Sequence, residues 1–84
     1  MMGNTAAPSP VFAVIAAEVA RLAEIPVGGV LPHADLRDDL ELDSLSMVEL
    51  LAVVEDRYGC VVPDEEAEQI RTVTDLVTLV EVVR

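Results

Sequence analysis

Ser44 is the residue whose neighbours most restrict the chemistry it can do. It stands in Leu40-Glu41-Leu42-Asp43-Ser44-Leu45, with an acid on its N-terminal side and an amphipathic run after it that reaches Tyr58. A serine acts as a hydrolytic nucleophile when a nearby base takes its proton. This chain has no Gly-x-Ser-x-Gly elbow, and its single histidine, His33, sits in a proline-containing loop segment with no triad pattern around it. Two readings are left for Ser44. In one, Asp43 or Ser44 caps a helix, satisfying backbone N–H groups that lack an intrahelical acceptor. In the other, Ser44 is the attachment point of a group joined through a phosphodiester, a negative charge that free N–H groups and the helix dipole stabilise. A separate transferase would then bring the base, and none is needed here.

The other reactive side chains have plainer roles. Cys60 is the lone cysteine, so it makes no intramolecular disulfide, and it is read as a small, partly buried apolar residue. His33 is read as a hydrogen-bonding loop residue. Asp35, Asp38, Asp39, Glu41 and Asp43 suggest a calcium loop, but the glycine and the terminal glutamate at EF-hand spacing are missing. No metal site is expected.

The elements that position Ser44 must come from one small domain, since 84 residues are too few to bury a deep active-site cavity in a large core. Hydrophobic residues make up 52% and aromatic residues 2%, so the core is built from Ala, Val, Leu and Ile around Phe12 and Tyr58. Sixteen acids stand against five arginines and no lysine, for a net charge of -11. Twelve of the acids fall between Asp35 and Glu68, opposed there by Arg37 and Arg57. Such a field repels nucleic acid and anionic membrane surfaces and favours basic protein surfaces. The apolar stretch from Val11 to Ile25 is broken by Glu18, Arg21 and Glu24, which argues against a membrane span, and no secretory signal is legible at the N-terminus. A monomer in a reducing, cytoplasmic setting is expected.

Residues 1–8 read as a flexible tail, and residues 9–84 as the folded domain. Ser9 and Pro10 open a first helix with Phe12, Ile15, Val19 and Leu22 as its apolar stripe and Ala16 and Ala23 beside it, ending before Pro26. A long connection follows from Pro26 to Asp43, pinned to the core by Leu31, Leu36, Leu40 and Leu42. The second helix runs from Ser44 to Tyr58 and stops at Gly59. At about 100° per residue, Met47, Leu50, Leu51, Val54 and Tyr58 form its core face. Leu45, Val48, Glu49, Ala52 and Asp56 form the opposite face, which mixes apolar and acidic side chains where a purely solvated face would be polar throughout.

Asp64 is placed to cap a short third helix reaching Ile70, with Glu65 and Glu66 in its first turn. Thr72 and Asp75 form a capping box for a fourth, with Val73, Leu76, Val77, Val80 and Val83 as its stripe. Residues 77–83 are rich in β-branched side chains and compatible with a strand, but a lone strand would have no partner here. The expected fold is all-α, with three longer helices, one short third helix and a long loop between helices 1 and 2.

Together, Leu42-Asp43-Ser44-Leu45, Val48-Glu49-Leu50, Glu55-Asp56, Tyr58, the run Val62-Pro63-Asp64-Glu65-Glu66-Ala67-Glu68 and Ile70-Arg71-Thr72-Val73 resemble an acyl carrier protein, over about Leu31 to Val80. The resemblance implies that these helices form a four-helix bundle, and that the domain is a non-catalytic carrier in which Ser44, flanked by Asp43 and Leu45, bears 4'-phosphopantetheine derived from coenzyme A. The arm's thiol would hold acyl intermediates as thioesters in fatty acid, polyketide or related lipid or siderophore biosynthesis. It also implies a docking face of Glu41, Asp43, Leu45, Val48, Glu49, Ala52, Glu55 and Asp56. The partners would be a phosphopantetheinyl transferase and ketosynthase, acyltransferase or acyl-activating enzymes with basic patches.

Some residues depart from the fatty-acid-synthesis pattern. Ser46-Met47 replaces a common Asp-Thr, Arg57 and Gly59-Cys60 replace acidic or polar residues, and Glu41-Leu42 lacks the usual glycine. These bear on the pathway more than on the carrier role. A peptidyl or aminoacyl carrier is an alternative, although the Gly-Gly-His/Asp-Ser turn of that class is absent. A small acidic helical interaction module without a prosthetic group is another.

Overall fold

In the computed structural model, residues 9–83 are described, and the expected tail at 1–8 lies outside them. Four α-helices follow in order: α1 Pro10–Ala23, α2 Ser44–Tyr58, α3 Asp64–Ala67 and α4 Val73–Val83. α1 packs against both α2 and α4. The architecture is the expected helical bundle with three longer helices and one short one.

Local chemistry explains where the helices start and stop. Ser9 Oγ accepts from the Phe12 N–H at 3.0 Å, with Pro10 at the first helical position. The end of α1 is held by Glu24 in the left-handed region at φ 60, its N–H bonded to the Ala20 carbonyl. α2 ends at Gly59, φ 62, where a residue without Cβ takes the left-handed turn at no steric cost. At α4 the capping box is formed in both directions: the Asp75 N–H donates to Thr72 Oγ1 at 3.1 Å, and Asp75 Oδ2 accepts from the N–H groups of Thr72 and Arg71 at 3.1 and 3.0 Å. β-Branched Val73–Val83 is helical because its period of three and four residues buries Val73, Leu76, Val77 and Val80 against the bundle.

The structure corrects four details. The buried line of α1 runs through Val11, Ile15, Ala16, Val19 and Ala20, while Phe12, Leu22 and Ala23 sit half-buried at its edge. Two neighbours, α2 and α4, flank α1, so its buried arc is wider than one stripe. α3 is capped by Pro63, with Asp64 inside its first turn making no side-chain cap, and the helix ends at Ala67. Leu31 is 62% exposed, and Val30 is buried in its place. Val83 is exposed because α4 runs past the end of the core.

The long connection is ordered by the joint between α3 and α4. It contains a 3₁₀ turn at Val27–Gly29, and its buried anchors are Val30, Leu36 and Leu42. The Leu36 N–H donates to the Arg71 carbonyl at 2.8 Å, the Val73 N–H to the Ala34 carbonyl at 3.2 Å and the Thr74 N–H to the Pro32 carbonyl at 2.9 Å. Asp35 Oδ1 accepts from the N–H groups of Arg37 and Asp38, and Asp39 Oδ2 accepts from the Asp35 N–H. Asp35 and Asp39, two acids of the stretch between Asp35 and Glu68, therefore stitch the turn that delivers the chain to Ser44. Among the described residues no helix is long and apolar enough to cross a membrane.

Candidate prosthetic-group attachment site

Ser44 is the first residue of α2 and is exposed. The cap before it is Asp43, in extended backbone conformation, whose Oδ1 accepts from the Ser46 N–H at 2.8 Å and whose carbonyl accepts from the Met47 N–H at 2.9 Å. Of the two candidate caps, Asp43 takes the role and the Ser44 hydroxyl is left in solvent at the positive end of the helix. The bond from the Ser46 N–H holds the Asp43 carboxyl below the usual carboxylate range. Asp43 is thus anionic at neutral pH and a poor proton acceptor, which fits a serine activated from outside and not by its neighbour.

The approach to Ser44 carries an uncommon backbone. Glu41 lies in the left-handed region at φ 58, between half-buried Leu40 and buried Leu42, and the Leu42 N–H donates to the Leu36 carbonyl at 3.0 Å. This turn is where a residue without Cβ fits most easily. The Glu41-Leu42 departure noted in the sequence therefore falls at a position of real conformational cost.

The outer face of α2 is assembled as its periodicity predicts. Leu45 and Val48 are 76% and 64% exposed, and Glu49, Ala52 and Asp56 are exposed with them. Met47, Leu50 and Val54 are buried, and Leu51 and Tyr58 are half-buried on the core side. Besides Asp43, two further acids of the expected docking set have partners inside the chain. Glu55 is half-buried and its Oε2 accepts from the Val62 N–H at 2.7 Å, fixing the turn after α2. Glu49 Oε2 lies 2.7 Å from Arg21 Nη2 on α1.

Arg21 is the residue at this face that sequence reasoning missed. It lies 28 positions from Glu49, and the sequence signalled only its place one turn after Glu18. His33 is exposed on the long connection, beside Leu31, Pro32 and Leu40 in a shallow cleft. Met47, one turn along α2 from Ser44, lines a 270 Å³ cleft with Ala67 and Ile70, ringed by Asp35, Arg37, Asp38, Glu68 and Arg71. Among the described residues no cluster of three or more His, Cys, Asp or Glu is arranged to hold a metal.

A family model described as the phosphopantetheine attachment site matches residues 13–80, from the first turn of α1 to the buried Val80 of α4. The chain belongs to this family. Relatives of this phosphopantetheine-attachment domain include the meromycolate extension acyl carrier protein of Mycobacterium leprae, 39% identical over 71 residues that cover 84% of this chain and 62% of that protein. The acyl carrier protein of Thermobifida fusca is 35% identical over 71% of this chain and 76% of its own length. That of Rubrobacter xylanophilus is 51% identical over 61% and 63%. The matched stretch thus spans about three-fifths to three-quarters of these relatives. A solved structure described as an acyl carrier protein from Mycobacterium tuberculosis superposes with a TM-score of 0.80 at 30% identity, covering 86% of this chain and 96% of that one.

The residues fit the family's group, 4'-phosphopantetheine. Ser44 offers an exposed hydroxyl, and the 15-residue α2 presents its N-terminus to a phosphodiester there.

Proposed function

We propose that this domain is an acyl carrier in which Ser44 bears the 4'-phosphopantetheine. The observation that carries the reading is the exposed Ser44 hydroxyl at the start of α2, within a domain that matches the phosphopantetheine family over residues 13–80. Once attached, the group supplies a thiol that holds an acyl chain as a thioester. The protein's own residues position and recognise. Asp43 fixes the first turn of α2 and so the direction in which the serine faces. Leu36 and Leu42, buried, hold the approach to it. A transferase takes the serine proton as Ser44 Oγ attacks the coenzyme A phosphorus that carries the pantetheine; the pyrophosphate bond breaks, adenosine 3',5'-bisphosphate leaves, and the arm stays on Ser44 through a phosphodiester.

The docking face is Glu41, Asp43, Leu45, Val48, Glu49, Ala52 and Asp56, with Glu55 acting mainly to hold the turn to Val62. Its acids steer toward basic patches on a transferase and on acyl-handling synthases, giving fast, salt-sensitive encounters. The names of the relatives favour lipid assembly as the pathway. Incubation with a broad-specificity phosphopantetheinyl transferase and coenzyme A should add one phosphopantetheine by intact mass, and Ser44→Ala should abolish the addition. An unmodified wild-type mass would leave an acidic interaction module as the better description.

A further inference from the structure

Arg21, in the last turn of α1, reaches across the helix interface to the outer face of α2. Its Nη2 is 2.7 Å from Glu49 Oε2, while Glu18, one turn back on α1, accepts from Nε at 3.0 Å and also engages Nη2. The two halves of this bridge differ in exposure. The Glu18 side chain is 16% exposed, whereas those of Arg21 and Glu49 are 57% and 49% exposed. Glu18 is the anchored partner, and the Arg21–Glu49 contact faces solvent. The guanidinium also forms one wall of an open groove between α1 and α2, lined by Ala13, Val14, Ala17 and Val53 and bordered by Asp56. The bridge therefore lies along the edge of the surface read above as the docking face.

We propose that Arg21 is a specificity-determining residue of that face: held by Glu18, it occupies on Glu49 the place a partner enzyme's basic side chain would take. This inference rests on the docking role of α2. A partner arginine or lysine must displace Arg21 before it can pair with Glu49. Because an exposed ion pair is weak and screened by salt, the displacement tunes affinity and does not block it. Partners that rely on Glu49 are penalised relative to those that rely on Asp43 and Asp56, so one side chain of α1 biases which enzymes this carrier meets.

The test is steady-state loading by a phosphopantetheinyl transferase at saturating coenzyme A, with the carrier concentration varied, in a double-mutant cycle of Arg21→Gln and Glu49→Gln. Arg21→Gln should lower KM about two- to fivefold, the range of an exposed pair, with kcat unchanged. The decrease should vanish in the Glu49→Gln background. Glu18→Gln, which releases the anchor and leaves Arg21 in place, should move KM in the same direction by a smaller factor, and it decides the matter if Arg21→Gln weakens the fold. An unchanged KM in Arg21→Gln, or an equal decrease with and without Glu49, overturns the proposal, since a purely structural staple or a net-charge effect would behave that way. Asp56→Arg separates the levels: if it raises KM while Arg21→Gln does nothing, only the Arg21 proposal falls. If it has no effect, the docking reading falls as well.

Discussion

At Ser44 the decisive property is what its neighbours leave undone. Asp43 takes the cap, its carboxylate is held ionised by the Ser46 N–H, and no base is supplied to the hydroxyl from that side. The turn three residues earlier is less settled energetically. Glu41 adopts φ 58, where an L-residue with a Cβ is strained by about 1–2 kcal/mol, a cost that the greater freedom of an unfolded glycine partly offsets. Glu41→Gly should therefore raise stability, by about 0.5–1 kcal/mol on that balance, measured by urea unfolding. Glu41→Gln removes the charge but keeps the Cβ, and should recover little of the gain. An equal gain in both would place the cost in charge repulsion and not in the backbone.

At the level of elements, the capping box of α4 couples helix stability to pH. Asp75 accepts from the N–H groups of Thr72 and Arg71, and these bonds hold its pKa below the ordinary carboxylate value. A carboxyl with a depressed folded pKa contributes stability that is fully present above its unfolded pKa and is lost as pH falls through the folded one. Asp75→Ala should thus lower Tm at pH 7, and the gap to wild type should close as pH drops below about 4. A gap that did not narrow at all between about pH 4 and pH 2 would mean the loss came from packing. The same box does a second job, since Thr72 and Arg71 are also the residues against which the long connection is laid, through the Asp35–Thr72 bridge and the Leu36 N–H. The start of α4 therefore helps to hold the segment that delivers Ser44.

The whole molecule carries a net charge of -11 on a core built from short aliphatic side chains. Self-repulsion works against folding while the same field draws basic partners. Raising ionic strength from about 0.01 to 0.15 M shortens the screening length from about 30 to 8 Å. Tm should rise over that interval while transferase loading slows, and the two trends can be followed on one sample by circular dichroism and by mass. Both moving in the same direction would separate the docking face from the global field.

What the sequence by itself determined follows from local rules. The three-and-four spacing of apolar residues, Ser9-Pro10 and Thr72 with Asp75 at helix starts, and Gly59 at a helix end are written within a few residues of one another, so the limits of α2, the α4 capping box and the exposure of Ser44, Leu45, Val48 and Ala52 were legible. The fold class followed from the same periodicity. Only the tertiary structure decided which of several nearby apolar residues is buried, Val30 and not Leu31, Val11 ahead of Phe12 and Ala20 ahead of Leu22, because that choice depends on the direction of neighbouring helices. It also decided the fate of individual acids. Glu55 is turned to the Val62 N–H and Glu49 is met by Arg21, contacts between residues 7 and 28 positions apart that no helical period encodes. A charge pattern in sequence states how many acids a face can offer; packing states which of them are already engaged.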